Sequence, residues 1–209
     1  MKLIVISPSK QVDAEVPCLL NMFEQGLPTY HLRKTKFSTK DLRNLILQIP
    51  PKYHNRIIIH SHHELAKQFN LKGIYISRSH KKRRFRTWLK MKLLKLRKGH
   101  LQTSTTFRSI DGLLDYESKY DYVFLAPVFD SLLGNFQAGY SEKNVMNTIK
   151  NTQYEVIARG GISVDTIQKT HELGFAGAAF YSSIWKAKSP VQEFIKVKEK
   201  FNDLKIPIE

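Results

Sequence analysis

The sequence predicts a single (β/α)8 barrel, a TIM barrel, on three observations. Eight short apolar runs recur along 209 residues, segments of helical spacing separate them, and no low-complexity linker breaks the chain. Near-continuous apolar runs of four or five residues are what strands buried on both faces of a parallel sheet require. Their alternation with helices at a spacing of roughly 25 residues describes βαβ units. Eight such units point to a closed barrel, with an open doubly wound sheet as the runner-up. The expected domain spans residues 1–209.

The runs are Leu3–Ile6, Thr29–Leu32, Arg56–His60, Gly73–Ile76, a weak fifth at His100–Ser104, Asp121–Leu125, Tyr154–Ala158 and Gly177–Phe180. Between them, Thr39 is a good N-cap for a helix carrying Leu42, Leu45 and Ile46. A short helix fits His63–Phe69. Phe85, Leu89, Leu93 and Leu96 fall at i, i+4, i+8 and i+11, one apolar stripe over Arg83–Leu96. Ser163 caps a helix with Val164, Ile167 and Leu173 that Gly174 closes. A helix begins near Ser141, and Ser189-Pro190 starts the last one, which runs to about Phe201.

Charge narrows the class of partner. The net charge of +16 favours anions: phosphorylated metabolites, nucleic acid or an acidic membrane surface. No acidic residue lies between Glu64 and Asp111, and Lys81–Lys98 holds ten Lys and Arg. Trp88 and Phe85 interleave with those cations, as on nucleic-acid surfaces. Phe85 also belongs to the apolar stripe, so a solvated face of a barrel helix is the preferred reading, and nucleic acid is not the expected partner. Cys18 is the only cysteine, which makes an intrachain disulfide impossible and a reducing cytosol the expected compartment. The four apolar residues Leu3–Ile6 before Ser7 and Pro8 are too few for a signal peptide, and no run is long enough to span a bilayer. Homo-oligomer formation is left open.

Candidate site residues cluster at strand ends. Gly160 and Gly161 lie between the seventh strand and the Ser163-capped helix, where backbone N–H groups and a helix N-terminus suit an anion. Ser182 and Ser183 end the eighth strand in the same way, and barrels often hold phosphate between these two loops. His31 and Arg33 share a face at the end of the second strand, and the arginine can grip a phosphate through two parallel hydrogen bonds. His60, His62 and His63 end the third strand and His80 follows the fourth; with His31 they form a transition-metal alternative that no paired-Cys or His-Glu-x-x-His pattern supports. Leu132–Tyr140, with Gly134 and Gly139, reads as an active-site loop after the sixth strand.

Several of these segments, in this order, resemble the thiamin-phosphate synthase and TenI-like family. Asp121-Tyr122-Val123 followed by Ala126-Pro127-Val128-Phe129 is similar to its sixth-strand pattern, and Gly139-Tyr140-Ser141 to its Gly-Val-Ser helix start. Gly160-Gly161-Ile162 resembles its phosphate loop. Leu173–Ala179 with Ser182-Ser183-Ile184 resembles its final strand and loop. Leu32-Arg33 resembles its second-strand pair, and Thr103-Ser104 its fifth-strand serine.

The resemblance implies a transferase that couples a hydroxymethylpyrimidine diphosphate to a thiazole phosphate, with magnesium stabilising the leaving pyrophosphate. It places phosphate at Gly160, Gly161, Ser182 and Ser183, and the pyrophosphate end near Arg33, His60 and Ser104. The chain departs from the pattern where the metal should sit. His60-Ser61 replaces the family's third-strand Asn-Asp, and Tyr75–His80 its fourth-strand His-x-Gly-Gln-x-Asp. Ser131-Leu132-Leu133-Gly134 replaces its Thr-x-Thr-Lys, and Thr35 the lysine after the second-strand arginine. Arg33, Lys36 and Arg78 are the cations that could compensate. The alternative is a TenI-like barrel that binds a thiazole phosphate as a regulator or with altered chemistry. Pro127 stands where that branch carries its acid/base histidine, which leaves His60 or His31 as the general acid/base.

Overall fold

The computed structural model describes residues 1–10, 12–82, 101–114, 120–129 and 141–209. Eight parallel strands close in sequence order: β1 (Lys2–Ile6), β2 (Thr29–Leu32), β3 (Ile57–Ile59), β4 (Gly73–Tyr75), β5 (Gln102–Phe107), β6 (Tyr122–Leu125), β7 (Val156–Arg159) and β8 (Gly177–Phe180). Pairing of Leu3 with Ala178 and of Val5 with Phe180 completes the ring. The helices are α1 (Glu15–Glu24), α2 (Thr39–Leu47), α3 (Glu64–Gln68), α4 (Arg78–Lys82), α5 (Glu142–Asn151), α6 (Ile167–Glu172), α7 (Ser182–Trp185) and α8 (Pro190–Asp203). The expected helix over Arg83–Leu96, most of the basic run Lys81–Lys98 and the loop Leu132–Tyr140 lie outside the described residues. Among the described residues, no helix is long and apolar enough to cross a membrane.

Strand alternation sorts the core into two clusters. Ile4, Ile6, Ile58, Tyr122, Phe124, Ile157 and Ala179 fill the lumen, while Leu3, Val5, Tyr30, Ile57, Ile59, Val123 and Phe180 pack outward against the helices. That double burial explains why these strands read as unbroken apolar runs. β5 departs from the expectation of a strand at His100–Ser104: it runs Gln102–Phe107. Its Thr-Ser-Thr-Thr stretch suits a strand through β-branching rather than hydrophobicity, so an apolar-run criterion locates it poorly.

Two helix starts differ from expectation. Ser38, not Thr39, caps α2: its Oγ accepts from the Asp41 N–H while the Asp41 carboxylate accepts from the Ser38 N–H. Such a capping box is worth about 1 kcal/mol. After β7 the chain first makes a 3-10 turn at Val164–Thr166 with Ser163 at its N-cap, and the Thr166 hydroxyl accepts from the Ser163 N–H. α1 has no counterpart in the sequence expectations. Pro17 sits in its first turn, where a missing N–H costs nothing, and Leu19, Met22 and Phe23 form its buried face. Below α1, Lys34 forms a buried ion pair with Glu15 and donates to the carbonyls of Pro8 and Lys10, while the Tyr30 hydroxyl donates to Glu15. Burial pushes the Glu15 carboxyl up and the Lys34 ammonium opposes it.

Candidate functional site

At the C-terminal end of the barrel the strands open into a cleft of about 1060 Å³. Arg33 after β2, Arg78 on α4, Arg108 after β5 and Arg159 on β7 line it, together with His60, Tyr75 and Gly160. Among the described residues, no carboxylate lines it. Burial lowers the Arg159 pKa, and the charges of Arg33 and Arg108 add to that, so the guanidiniums repel one another across the cleft. A bound anion relieves that repulsion, in a site where partial burial strengthens each charge-assisted hydrogen bond.

The cleft floor is polar and ordered. Tyr75 donates to Thr106 Oγ1 at 2.9 Å, Arg159 reaches the same oxygen at 3.5 Å, and the Arg159 guanidinium lies 5.9 Å from the Phe124 ring centroid. His60 stacks on Tyr75 with ring centroids 4.1 Å apart and planes 14° from parallel. Beneath it, His31 Nδ1 lies 3.0 Å from His60 Nε2, and His31 Nε2 lies 2.5 Å from the Tyr122 hydroxyl. His31 is fully buried in the lumen, whereas His60 keeps 9% of its surface at the cleft. Burial holds both imidazoles well below the usual histidine range; Arg159 and Lys72 add to this at His31, and His31, Arg159 and Arg33 at His60.

The loops after β7 and β8 meet beside the cleft. Gly160 and Gly161 have φ of +90° and +67°. A Cβ on Gly160 would come 2.9 Å from Pro127, and one on Gly161 2.5 Å from the Phe129 carbonyl oxygen, so only glycine fits either position. The segment after β6 lies against them, its Val128 and Phe129 amides donating to the Arg159 and Gly160 carbonyls. Ser183 Oγ donates to the Ile162 carbonyl at 2.8 Å and ties the two loops together. Among the described residues, the amides of Gly161 and Ile162 carry no hydrogen bond, and those of Ser182 and Ser183 open α7. Unpaired amides on two joined loops are what a phosphate group needs.

A family model described as thiamine monophosphate synthase matches residues 3–184. The chain belongs to the thiamine monophosphate synthase family. A thiamine-phosphate synthase of Methanobrevibacter smithii is 22% identical over 180 residues, 82% of each chain. Two solved thiamine phosphate pyrophosphorylases share the fold. The one from Bacteroides thetaiotaomicron has a TM-score of 0.76 at 24% identity, covering 97% of this chain and 98% of its own. The one from Pyrococcus furiosus has a TM-score of 0.75 at 16% identity, covering 97% and 96%.

The sequence candidates of this family member separate into three groups. Arg33, His60 and Gly160 line the cleft. Gly161, Ser182 and Ser183 stand at the joined loops beside it. His31 and Ser104 do not reach the cleft: both are fully buried, because inward-facing residues at mid-strand lie in the lumen below the strand ends. The acid/base candidate His31 and the pyrophosphate-end candidate Ser104 therefore stand below the cleft rather than on its lining. The histidine metal alternative also finds no support, since among the described residues no three His, Cys, Asp or Glu gather as ligands. His62 instead bonds Thr39 and the Phe37 carbonyl, and His63 bonds the Tyr75 carbonyl.

Magnesium fits this lining poorly. A hard dication takes anionic oxygens, and among the described residues the cleft offers four guanidiniums and no carboxylate. Arg108 and Arg159 carry cleft charge that the sequence reading missed. The signal for Arg159 was its parity with lumen-facing Ile157, two residues earlier.

Proposed function

We propose that this member of the family binds a phosphorylated small molecule at the joined β7 and β8 loops and an additional anionic group against the arginines, with no need for magnesium. The observation that carries the proposal is a cleft whose described lining holds four arginines and no carboxylate. A thiazole phosphate fits the loops, and a diphosphate fits the arginine end, since each guanidinium can present two parallel donors to phosphate oxygens. In this reading the chain is a TenI-like barrel that keeps the phosphate pocket with altered chemistry.

The second reading is the synthase reaction itself, coupling hydroxymethylpyrimidine diphosphate with thiazole phosphate to give thiamin phosphate and pyrophosphate. The same arginines favour it, because fixed cations can stabilise a leaving pyrophosphate. A coupling assay with both substrates, run in EDTA and in magnesium, separates the two. The first reading predicts thiazole-phosphate binding without product in either condition, and product in EDTA establishes the second. Product only in magnesium overturns the magnesium-independent account.

A further inference from the structure

We infer that His60 is locked as a neutral hydrogen-bond donor, presenting its Nδ1–H to an acceptor oxygen of the bound ligand, and that Tyr122 and His31 are the positioning residues that lock it. The inference rests on the reading that the cleft takes an anionic ligand, and it names what that ligand meets at the cleft floor.

Counting hydrogens gives the polarity. The Tyr122 phenol has one hydrogen, and burial pushes its pKa up, so it keeps that hydrogen. Its partner is His31 Nε2. Were His31 to donate instead, the phenol hydrogen would be buried without an acceptor, which folded proteins avoid. The neighbouring hydroxyl across the β5–β6 ladder is Ser104, paired in register with Tyr122 and close enough to act on the phenol. Ser104 Oγ meets no other partner among the described residues, so a phenol that donated to it would only hand the orphaned hydrogen to Ser104, whereas Ser104 donating to the phenol oxygen leaves none. The phenol therefore donates to His31 Nε2. His31, neutral in the lumen, then carries its hydrogen on Nδ1 and donates to His60 Nε2. His60, neutral as well, is left with its hydrogen on Nδ1.

That nitrogen has no partner among the described residues, and His60 lines the cleft. Stacking on Tyr75 fixes the ring plane. The consequence is chemical: His60 stabilises negative charge on a ligand oxygen and does not act as the base that removes a proton. A neutral donor also adds no further charge to a cleft already lined by four arginines.

The test uses the full chain labelled with 15N-histidine, with His31→Asn and His60→Asn spectra assigning the signals. At pH 7, two-bond nitrogen–proton correlations should show both rings in the Nδ1–H tautomer, the minor form of free histidine. Tyr122→Phe should lower the Nδ1–H population of His60, and Ser104→Ala should leave it unchanged. Should Tyr122→Phe fail to fold, the wild-type spectrum still decides the tautomer. Addition of pyrophosphate in EDTA should shift the His60 Nδ1 signal and leave His31 in place. His60 found as the Nε2–H tautomer, or loss of the pattern in Ser104→Ala, overturns the polarity. Pyrophosphate that binds calorimetrically without moving the His60 signal overturns the ligand contact, while the anion cleft stands. Pyrophosphate that fails to bind defeats the cleft reading, while the free-protein spectrum still reports the tautomer.

Discussion

His31 and His60 face each other across the β2–β3 ladder with 3.0 Å between Nδ1 and Nε2, and burial keeps both rings neutral. Two unfolded histidines would take up protons near the ordinary value of 6.5 that the folded pair refuses.

The sign of the resulting pH dependence follows. Because both folded pKa values are lowered, the unfolded chain binds more protons below pH 6.5, and stability falls as pH drops from there toward the folded values. Each histidine contributes a slope of at most about 1.4 kcal/mol per pH unit. Urea unfolding between pH 7.5 and 5 should show this decline, and His60→Asn should reduce its slope. A flat profile in the native chain would show that the pair titrates normally.

Lys34 and Glu15 make a different kind of buried pair, with 0% and 4% of their side chains exposed. Lys34→Met strands the Glu15 carboxylate against Tyr30 and should cost about 3–5 kcal/mol. Joining it with Glu15→Leu should recover much of that loss, since the double change removes both desolvated charges. Chemical denaturation of the single and double variants measures both effects.

Gly161 gives the sharpest test of the phosphate loop. Gly161→Ala combines φ of +67° with a Cβ 2.5 Å from the Phe129 oxygen. Stability should fall by about 1–3 kcal/mol, and affinity for thiazole phosphate should drop at least tenfold. Ser183→Ala, which only unties the loop from the Ile162 carbonyl, should cost about 1 kcal/mol and weaken binding less. Equal effects of the two on affinity would move the phosphate away from Gly161.

Arg33 tests the far end of the cleft. Arg33→Ala should weaken pyrophosphate binding about 10- to 150-fold, consistent with loss of a charge-assisted hydrogen bond worth about 1.5–3 kcal/mol. The pocket proposed at the β7 and β8 loops predicts that the same change leaves thiazole-phosphate affinity within twofold. Calorimetric titrations of the two ligands compare the effects directly.

Much of the barrel was legible because lumen and helix layers both demand apolar residues, which is why β1, β2, β6 and β8 stand within a residue of their expected positions. β5 was misplaced because threonine makes a strand without making an apolar run, and α1 was overlooked because Pro17 reads as a break until its place in the first turn is known. The site divides along the same line. Gly160 and Gly161 announce themselves, since positive φ and close approach leave few alternatives. The Tyr122–His31–His60 chain was not legible, because it depends on which residues of β2, β3 and β6 share a level inside the lumen. Tyr122 reads only as part of a strand motif.

Whether the anion cleft works without magnesium is decided by one titration: pyrophosphate into the full chain by calorimetry, first in EDTA and then in excess magnesium. The account predicts saturable binding in EDTA that magnesium leaves unchanged or weakens by sequestering the ligand. Binding that emerges only when magnesium is added would contradict it.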